Sequence, residues 1–282
     1  MKIDLHIHTT ASDGQLTPSE VVRRAAELRM ETIAITDHDS IEGIEEALAE
    51  ARKFPELTVI TGIEMGADVP DSEMHILGYF VNPNSETFCQ KLDGLRNSRI
   101  TRTQKMVSKL ADMEIHLDWE HVVRIANGAS IGRPHIAQAI LERGYVTVLQ
   151  EAFDKYIGDD SPAHVKREKL GPVETIEIIT GAGGLPVLAH PAKTENLDSV
   201  LQHLKSAGLV GMEVYYKDYD SETKQRLAEA ANKHGLIPCG GSDYHGFKDE
   251  GNEIGRCDVP RETVDQLLEL QRQVGSIPRN RG

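Results

Sequence analysis

The sequence predicts an α/β fold in which helices cover a parallel sheet, as in the large α/β barrels. Two observations predict it. Apolar runs of strand length alternate with segments of helical period, and 282 residues are a common length for one such barrel. Between residues 85 and 163 a polar, mostly helical stretch interrupts the alternation. Because the alternation then resumes, we expect residues 1–84 and 164–282 to form the barrel and residues 85–163 to be a helical insertion.

Each predicted strand is a short apolar run, and the runs fall at residues 2–8, 32–36, 57–63, 74–81, 185–189, 210–214 and 236–240. The first predicted helix has Thr17 as its N-cap and opens with Pro18. A turn signal, Asn82-Pro83-Asn84, follows the fourth strand. Helical period predicts helices at residues 18–28, 41–51, 91–113, 133–143, 174–180, 197–207, 221–234 and 262–273.

Composition narrows the class of protein. Hydrophobic residues make up 39% and charged residues 27%, as in globular chains, and the net charge of −14 leaves no sequence-wide basic surface for nucleic acid. The three cysteines form no CxxC pair, which argues against a disulfide framework and against a cysteine zinc site. Charged residues begin at Lys2 and no long apolar run follows. We therefore expect no signal peptide, no membrane span and a reducing, cytoplasmic setting.

Side chains that can bind metal recur where the apolar runs end. On the first strand the period of two places His6 and His8 on one face, where both imidazoles can reach one cation. Alone, such a pair is as typical of ordinary histidines as of a metal site. Further histidines and acids follow later runs, namely Asp37, His38, Glu64, His190, Asp243 and His245. The carboxyl ends of parallel barrel strands meet at one face, which holds the active site, so we expect these side chains to converge.

Some residues near these strand ends have a less direct link to that face. His75 lies near the start of its predicted strand, so its sequence position alone does not place it there. Asp13 follows the first strand, in a Ser-Asp-Gly loop. Asp4 and Asp37 neighbour the histidines, and we expect them to orient imidazole N–H groups rather than to bind metal.

The residue types indicate which metals the site would hold. Imidazoles and carboxylates without thiolates suit manganese, iron or zinc. Carboxylates that bridge two ions allow the two-metal chemistry of phosphoryl hydrolysis. Asp13, Glu64 and Asp243 supply three negative charges, whereas three divalent cations would supply six positive ones. The excess positive charge would attract phosphate into an otherwise acidic protein.

Six segments together give the chain a family resemblance: DLHIHTTASDG, TDHD, GIEM, HILGYF, LAHP and GGSDYH. In this order they resemble the PHP (polymerase and histidinol phosphatase) family, and most of all its bacterial nucleotide-phosphoesterase branch. The resemblance covers about residues 1–250. It implies a distorted (β/α)7 TIM-like barrel with three divalent cations at the carboxyl ends of the strands. Manganese is the first expectation for these cations, with iron or zinc as alternatives.

The resemblance also implies which residues bind each ion. The first ion would be held by His6, His8, Glu64 and Asp243, the second by Glu64, His75 and His135, and the third by Asp13, His38 and His245. His190 is the expected general acid, and Asp243 would also manage the proton of the nucleophile.

The resemblance also gives a role in the metal site to a segment of the insertion, Gly132-Arg133-Pro134-His135. By spacing alone His135 is a surface or capping histidine at a helix start. The resemblance makes it a metal ligand on an insertion that caps the active site, with Arg133 binding substrate phosphate through its planar guanidinium. The alternative to phosphate binding is that Arg133 is a solvent-exposed charge at the end of a helix. Arg167 is a second phosphate-binding prediction, although it lies in a short charge run that is typical of a solvated face.

The expected function is therefore a metal-dependent phosphohydrolase. By resemblance it would remove the 3′-phosphate of 3′,5′-bisphosphonucleosides and could also trim short 5′-phosphorylated oligoribonucleotides. The expected partner is a small nucleotide or short oligonucleotide, with no membrane and no duplex nucleic acid. Three alternatives stay open: a histidinol-phosphate phosphatase, a non-catalytic PHP accessory module, and a carbon–nitrogen amidohydrolase on a similar barrel.

Overall fold

The computed structural model describes residues 2–69, 72–126, 131–165, 170–247 and 253–276. In these residues the strands form one seven-stranded sheet and lie in chain order. They are β1 (Ile3–Ile7), β2 (Thr32–Ile35), β3 (Thr58–Val69), β4 (Ser72–Tyr79), β5 (Leu185–Leu188), β6 (Gly211–Tyr216) and β7 (Ile237–Gly241). All seven predicted strands are therefore present, with small shifts of their ends except in β3, which extends six residues beyond its predicted end.

The sheet curls into a nearly closed barrel. An isolated parallel bridge joins Ile7, at the end of β1, to Tyr244, beyond the end of β7. The backbone N–H of His8 also donates to the carbonyl oxygen of Tyr244 at 2.9 Å. The predicted barrel with its helical insertion is confirmed by this arrangement of α and β elements.

One strand departs from the expected parallel arrangement. β4 runs antiparallel to both of its neighbours, β3 and β5, while the other neighbouring pairs are parallel. β3 is also longer than expected, so Glu64 lies within the strand, paired with Leu77, and not beyond its end. Because β4 is reversed, its first residues lie at the end of the barrel where the parallel strands have their carboxyl ends. His75, which pairs with Gly66, is thereby brought to the face that its sequence position alone did not predict.

In the described residues a helix follows each of β1, β2, β5, β6 and β7, as expected, and five helices lie between β4 and β5. The helices are α1 (Pro18–Glu27), α2 (Ile44–Ala51), α3 (Glu86–Asp112), α4 (Trp119–Ala126), α5 (Arg133–Glu142), α6 (Leu149–Ala152), α7 (Pro172–Gly181), α8 (Leu197–Ser206), α9 (Ser221–His234) and α10 (Arg261–Ser276). α1 begins at a capping box, in which the Thr17 hydroxyl accepts from the Glu20 N–H and the Glu20 carboxylate accepts from the Thr17 N–H. Its buried face, including Val21, Val22 and Ala25, has the spacing that predicted this helix. Within the described helices, none combines the length and the apolar character needed to cross a bilayer.

The chain divides into two compact units. Residues 1–89 and 169–282 form the barrel unit, and residues 90–168 form the helical unit. In the barrel unit one apolar cluster packs α1 and α2 against the first two strands through Val22, Ile33 and Ala47. The helical unit has its own apolar cluster, which includes Met106, Ile136 and other buried side chains. Each unit therefore has a core of its own.

Candidate metal centre

Among the described residues of the barrel unit, three groups of imidazoles and carboxylates lie near the carboxyl ends of the parallel strands. Within each group the potential donor atoms lie within 4.8 Å of one another. The first group is His6, His8, Glu64 and Asp243; the second is His38, Glu64 and His75; the third is His8, Asp13, His38 and His245. Every member is a residue that the sequence analysis singled out.

Glu64 lies at the centre of these groups and is almost fully buried. Its Oε2 atom is 3.1 Å from His6 Nε2 and 3.2 Å from His38 Nδ1. Its Oε1 atom is 2.8 Å from His75 Nδ1. The two oxygens thus face different sets of imidazoles, which is the arrangement of a carboxylate that bridges two ions.

The remaining acids complete the first and third groups. Asp243 Oδ1 lies 3.1 Å from His8 Nε2 and 3.5 Å from His6 Nε2. Asp13 Oδ1 lies 3.4 Å from His245 Nε2. The side chains of both aspartates are about one-fifth exposed, whereas those of His6 and His8 are fully buried. The groups therefore have an enclosed inner side and an outer side open to a ligand.

The donor atoms fit metal ions. Among the described residues, His6 Nε2, both ring nitrogens of His8, His38 Nδ1 and Asp13 Oδ1 are buried and lack a hydrogen-bond partner. A buried polar atom without a partner costs about 1–3 kcal/mol, so such a concentration of them calls for a ligand. Divalent cations accept electron pairs from nitrogen and oxygen alike, and a donor set without sulfur suits manganese, iron or zinc.

The electrostatic field of these side chains also favours a bound cation. Burial alone would raise the pKa of Glu64, but His38, His6 and His75 outweigh it and hold this pKa well below its usual range. Burial would lower the pKa of His8, but the carboxylates of Asp243 and Glu64 raise it to about 10. Burial dominates at His38 and lowers its pKa to about 4. Glu64 is thus a carboxylate at neutral pH and supplies negative charge to the site.

Glu213 holds His6 in place, and the sequence analysis missed it. This fully buried residue lies in the middle of β6, and its Oε1 atom is 3.1 Å from His6 Nδ1. Its Oε2 atom accepts from the backbone N–H of His190 at 2.7 Å. A carboxylate that accepts the Nδ1 proton of an imidazole leaves Nε2 with its lone pair for a metal. An acid inside the apolar run Gly211-Met212-Glu213-Val214 was the available signal.

Asp4 and Asp37 have a different role from the expected one. Their carboxylates accept from backbone N–H groups and hydroxyls, not from imidazoles. Asp4 accepts from Ser242 N–H and Oγ–H, at 2.9 and 2.6 Å, and from Gly255 N–H at 2.7 Å. Asp37 accepts from Thr9 N–H at 2.7 Å and from the hydroxyls of Thr9 and Ser12. They therefore fix the loops that carry Asp13 and Asp243.

His190 and Asp243 have left-handed backbones beside the centre, with φ of 29° and 49°. Such conformations are costly for non-glycine residues and concentrate at functional sites. His190 Nε2 lies 3.1 Å from Glu64 Oε1, and its side chain is 32% exposed. Asp243 is held at two points, because Tyr216 donates its hydroxyl proton to Oδ2 at 2.8 Å and Lys217 donates to the Asp243 carbonyl at 3.0 Å. The second carboxylate oxygen, Oδ1, therefore faces the imidazoles.

Two of the remaining predicted site residues belong to the helical unit. His135 is buried at the third position of α5, and its Nδ1 accepts from the backbone N–H of Gly132 at 3.0 Å. Arg133, at the first position of α5, donates to Asp159 Oδ1 at 2.6 Å. Arg167 lies outside the described residues.

Comparisons with known proteins identify the family of the chain. The family model "PHP domain" matches residues 4–158. The chain is 30% identical to the 3′,5′-nucleoside bisphosphate phosphatase of Chromobacterium violaceum, over 92% of each chain. It is 32% identical to the 5′-3′ exoribonuclease Rnm of Salmonella typhimurium, over 86% of this chain and 84% of the relative. A solved structure from Bifidobacterium adolescentis, assigned as a metal-dependent phosphoesterase, is 31% identical to this chain. The match spans 94% of this chain and 95% of that protein, with a TM-score of 0.85. The chain therefore belongs to the PHP domain family.

Proposed function

We propose that this chain is a metal-dependent phosphoesterase that removes the 3′-phosphate from 3′,5′-bisphosphonucleosides. The observation that carries the proposal is the set of three donor groups, in which the first two share Glu64 and the third shares His8 and His38 with them. The phosphatase relative from Chromobacterium violaceum supports the choice of substrate. The exoribonuclease relatives favour a second candidate, the stepwise trimming of short 5′-phosphorylated oligoribonucleotides. Both reactions cleave a phosphate ester of a nucleotide, so one centre can serve both.

We infer that the centre would hold three divalent cations, with manganese as the first choice. The first would lie among His6, His8, Glu64 and Asp243, the second at Glu64 and His75 with His135 as a further ligand, and the third at Asp13, His38 and His245. In the structure His38 also lies close to Glu64 and His75, so it can serve the second position as well as the third. When bound, these ions stabilise negative charge on phosphate oxygens and lower the pKa of a coordinated water.

Two side chains at the open side of the centre would move protons. His190 is partly exposed, with Nε2 held 3.1 Å from Glu64 Oε1, and it donates a proton to the leaving oxygen of the ester. Asp243 presents Oδ1 to the centre because Tyr216 occupies Oδ2, and Oδ1 accepts the proton of the attacking water. The left-handed backbone of both residues supports this assignment.

Arg133 and Arg167 are the proposed phosphate-binding residues. A guanidinium can donate two parallel hydrogen bonds to phosphate oxygens, and it stays charged at any physiological pH. Arg133 is one-fifth exposed, and its partner Asp159 is largely exposed. Asp159 keeps the guanidinium oriented, and a phosphate dianion can compete with this exposed carboxylate for it.

The test is a phosphate-release assay with purified protein loaded with manganese. We expect turnover of adenosine 3′,5′-bisphosphate, no turnover of histidinol phosphate, and loss of activity after chelation with recovery on adding manganese. His190→Asn should lower kcat by about 10²- to 10⁴-fold, the usual contribution of a general acid, without changing the metal content. Turnover of histidinol phosphate alone would identify the histidinol-phosphate phosphatase. A folded protein that holds well under one ion and hydrolyses neither ester would favour the accessory module.

A further inference from the structure

Phe247 is a large apolar side chain that remains 41% exposed in the barrel unit. The other large hydrophobic residues with comparable exposure in the described residues, Val123, Tyr145 and Val148, belong to the helical unit. A single exposed apolar residue is ordinary on a protein surface. Phe247 differs because it follows His245 by two residues and lies beside the third donor group.

The ring of Phe247 is nearly parallel to the imidazole of His245, which in turn stacks on that of His8. The rings of His8 and His245 stack with centroids 4.1 Å apart and an interplanar angle of 18°. The rings of His245 and Phe247 follow with centroids 6.3 Å apart and again an angle of 18°. Both separations suit aromatic contacts, and the series runs from the buried His8 to the exposed Phe247.

The backbone around Phe247 fixes this orientation. Gly246 has a φ of +80°, a left-handed conformation that an L side chain rarely adopts, and a Cβ there would lie 3.1 Å from Gln15 Cβ. The preceding carbonyl, that of His245, accepts from the Gln15 N–H at 2.8 Å. The turn at Gly246 is therefore held against the loop after β1, and it places the backbone of Phe247 beside the third donor group.

We propose that Phe247 is the stacking platform for the nucleobase of the substrate. The inference rests on the proposed function and adds a base-binding residue to it. A phosphate at the third donor group lies next to His245, and a nucleotide places its base one sugar ring away from its phosphate. The exposed ring of Phe247, whose centroid lies 6.3 Å from that of His245, is an aromatic surface in reach of such a base. Because every base has a π-face, the platform accepts any nucleotide, and purines gain more than pyrimidines since their rings are larger.

The experiment compares substrates with and without a base in variants at this one position. Phe247→Leu keeps an apolar side chain but removes the π-face, and Phe247→Trp retains it. Stacking of one base is worth about 5- to 150-fold in affinity, so Phe247→Leu should raise KM for adenosine 3′,5′-bisphosphate by that factor. KM for an abasic ribose 3,5-bisphosphate analogue should not change. Phe247→Trp and the remote control Val148→Ala should behave as the wild type does.

A binding measurement that does not depend on turnover accompanies the kinetics. The chain contains one tryptophan, Trp119, so the fluorescence of Phe247→Trp minus that of the wild type reports on the new indole. Adenosine 5′-phosphate should quench it, and ribose 5-phosphate should not. If the wild type hydrolyses the nucleotide but Phe247→Leu retains its KM and adenosine 5′-phosphate causes no quenching, the stacking proposal is wrong and the proposed function stands. If the wild type hydrolyses neither bisphosphate, the proposed function fails and the stacking proposal fails with it.

Discussion

Replacing Glu213 by glutamine tests how the buried carboxylate prepares His6 for a metal. Glu213 accepts two hydrogen bonds, one from the His190 backbone N–H and one at His6 Nδ1. In Glu213→Gln the amide has a single oxygen, and the backbone N–H of His190 needs that oxygen as its acceptor. The amide NH₂ group then faces His6 Nδ1, which must become an acceptor. The His6 proton moves to Nε2, and the lone pair that faces Glu64 and Asp243 is lost.

The magnitude follows from the hydrogen bond that the substitution removes. A hydrogen bond to a charged group is worth about 1.5–3 kcal/mol. At 1.4 kcal/mol for each factor of ten, this corresponds to roughly a 10- to 100-fold weaker affinity for the ion in the first group. The same range holds for the partners that orient metal-binding histidines in other proteins. We expect kcat to fall in parallel when manganese is not saturating.

The assay is a calorimetric titration of chelator-treated protein with manganese. Glu229→Gln is the matched control, because Glu229 is an exposed acid on α9 whose partner is Gln225. Melting curves of the chelator-treated proteins establish that each variant is folded. If folded Glu213→Gln binds manganese as tightly as the control does, the role assigned to Glu213 is wrong.

Two other substitutions have separate readouts. Tyr216→Phe removes the hydroxyl that donates to Asp243 Oδ2, so the affinity for manganese should fall by about tenfold. The control Tyr215→Phe, at the adjacent residue, should leave this affinity unchanged. Equal affinities of the two variants in calorimetry would contradict the role of the Tyr216 hydroxyl. Thr17→Ala removes the N-cap of α1 and should destabilise the protein by about 1 kcal/mol and lower Tm by about 2–4 °C, with activity retained. Thr17→Ser should keep most of that stability, and a melting curve that does not separate the two variants would show that the cap contributes little.

Much of the fold was predictable because the apolar runs are short and well separated. Each of the seven strands was expected within a few residues of its observed position, apart from the long carboxyl-terminal extension of β3. Strand direction was not predictable, because an apolar run has the same pattern in either direction. The reversal of β4 depends on its pairing with β3 and β5, which is a long-range property.

The proposed metal ligands were easier to find than the residues that support them. His6, His38 and His245 stand at or just beyond the ends of strands, where sequence position and chemistry agree. Glu213 and Tyr216 lie within β6, where a lone acid or tyrosine has many ordinary explanations. Asp4 was noticed, but its actual partners, Ser242 and Gly255, are more than two hundred residues away along the chain. Such partnerships appear only once the barrel closes.

The central position of Glu64 makes the first two donor groups thermodynamically inseparable. One carboxylate serves both, so its charge and orientation when one cation is present set the affinity for the next. Stepwise binding constants then belong to the pair and cannot be assigned to individual positions, as with coupled titrations. Under the proposed function, partial loading of these two positions would accordingly give a mixture of molecules with neither, one or both positions filled, in proportions that follow from this coupling.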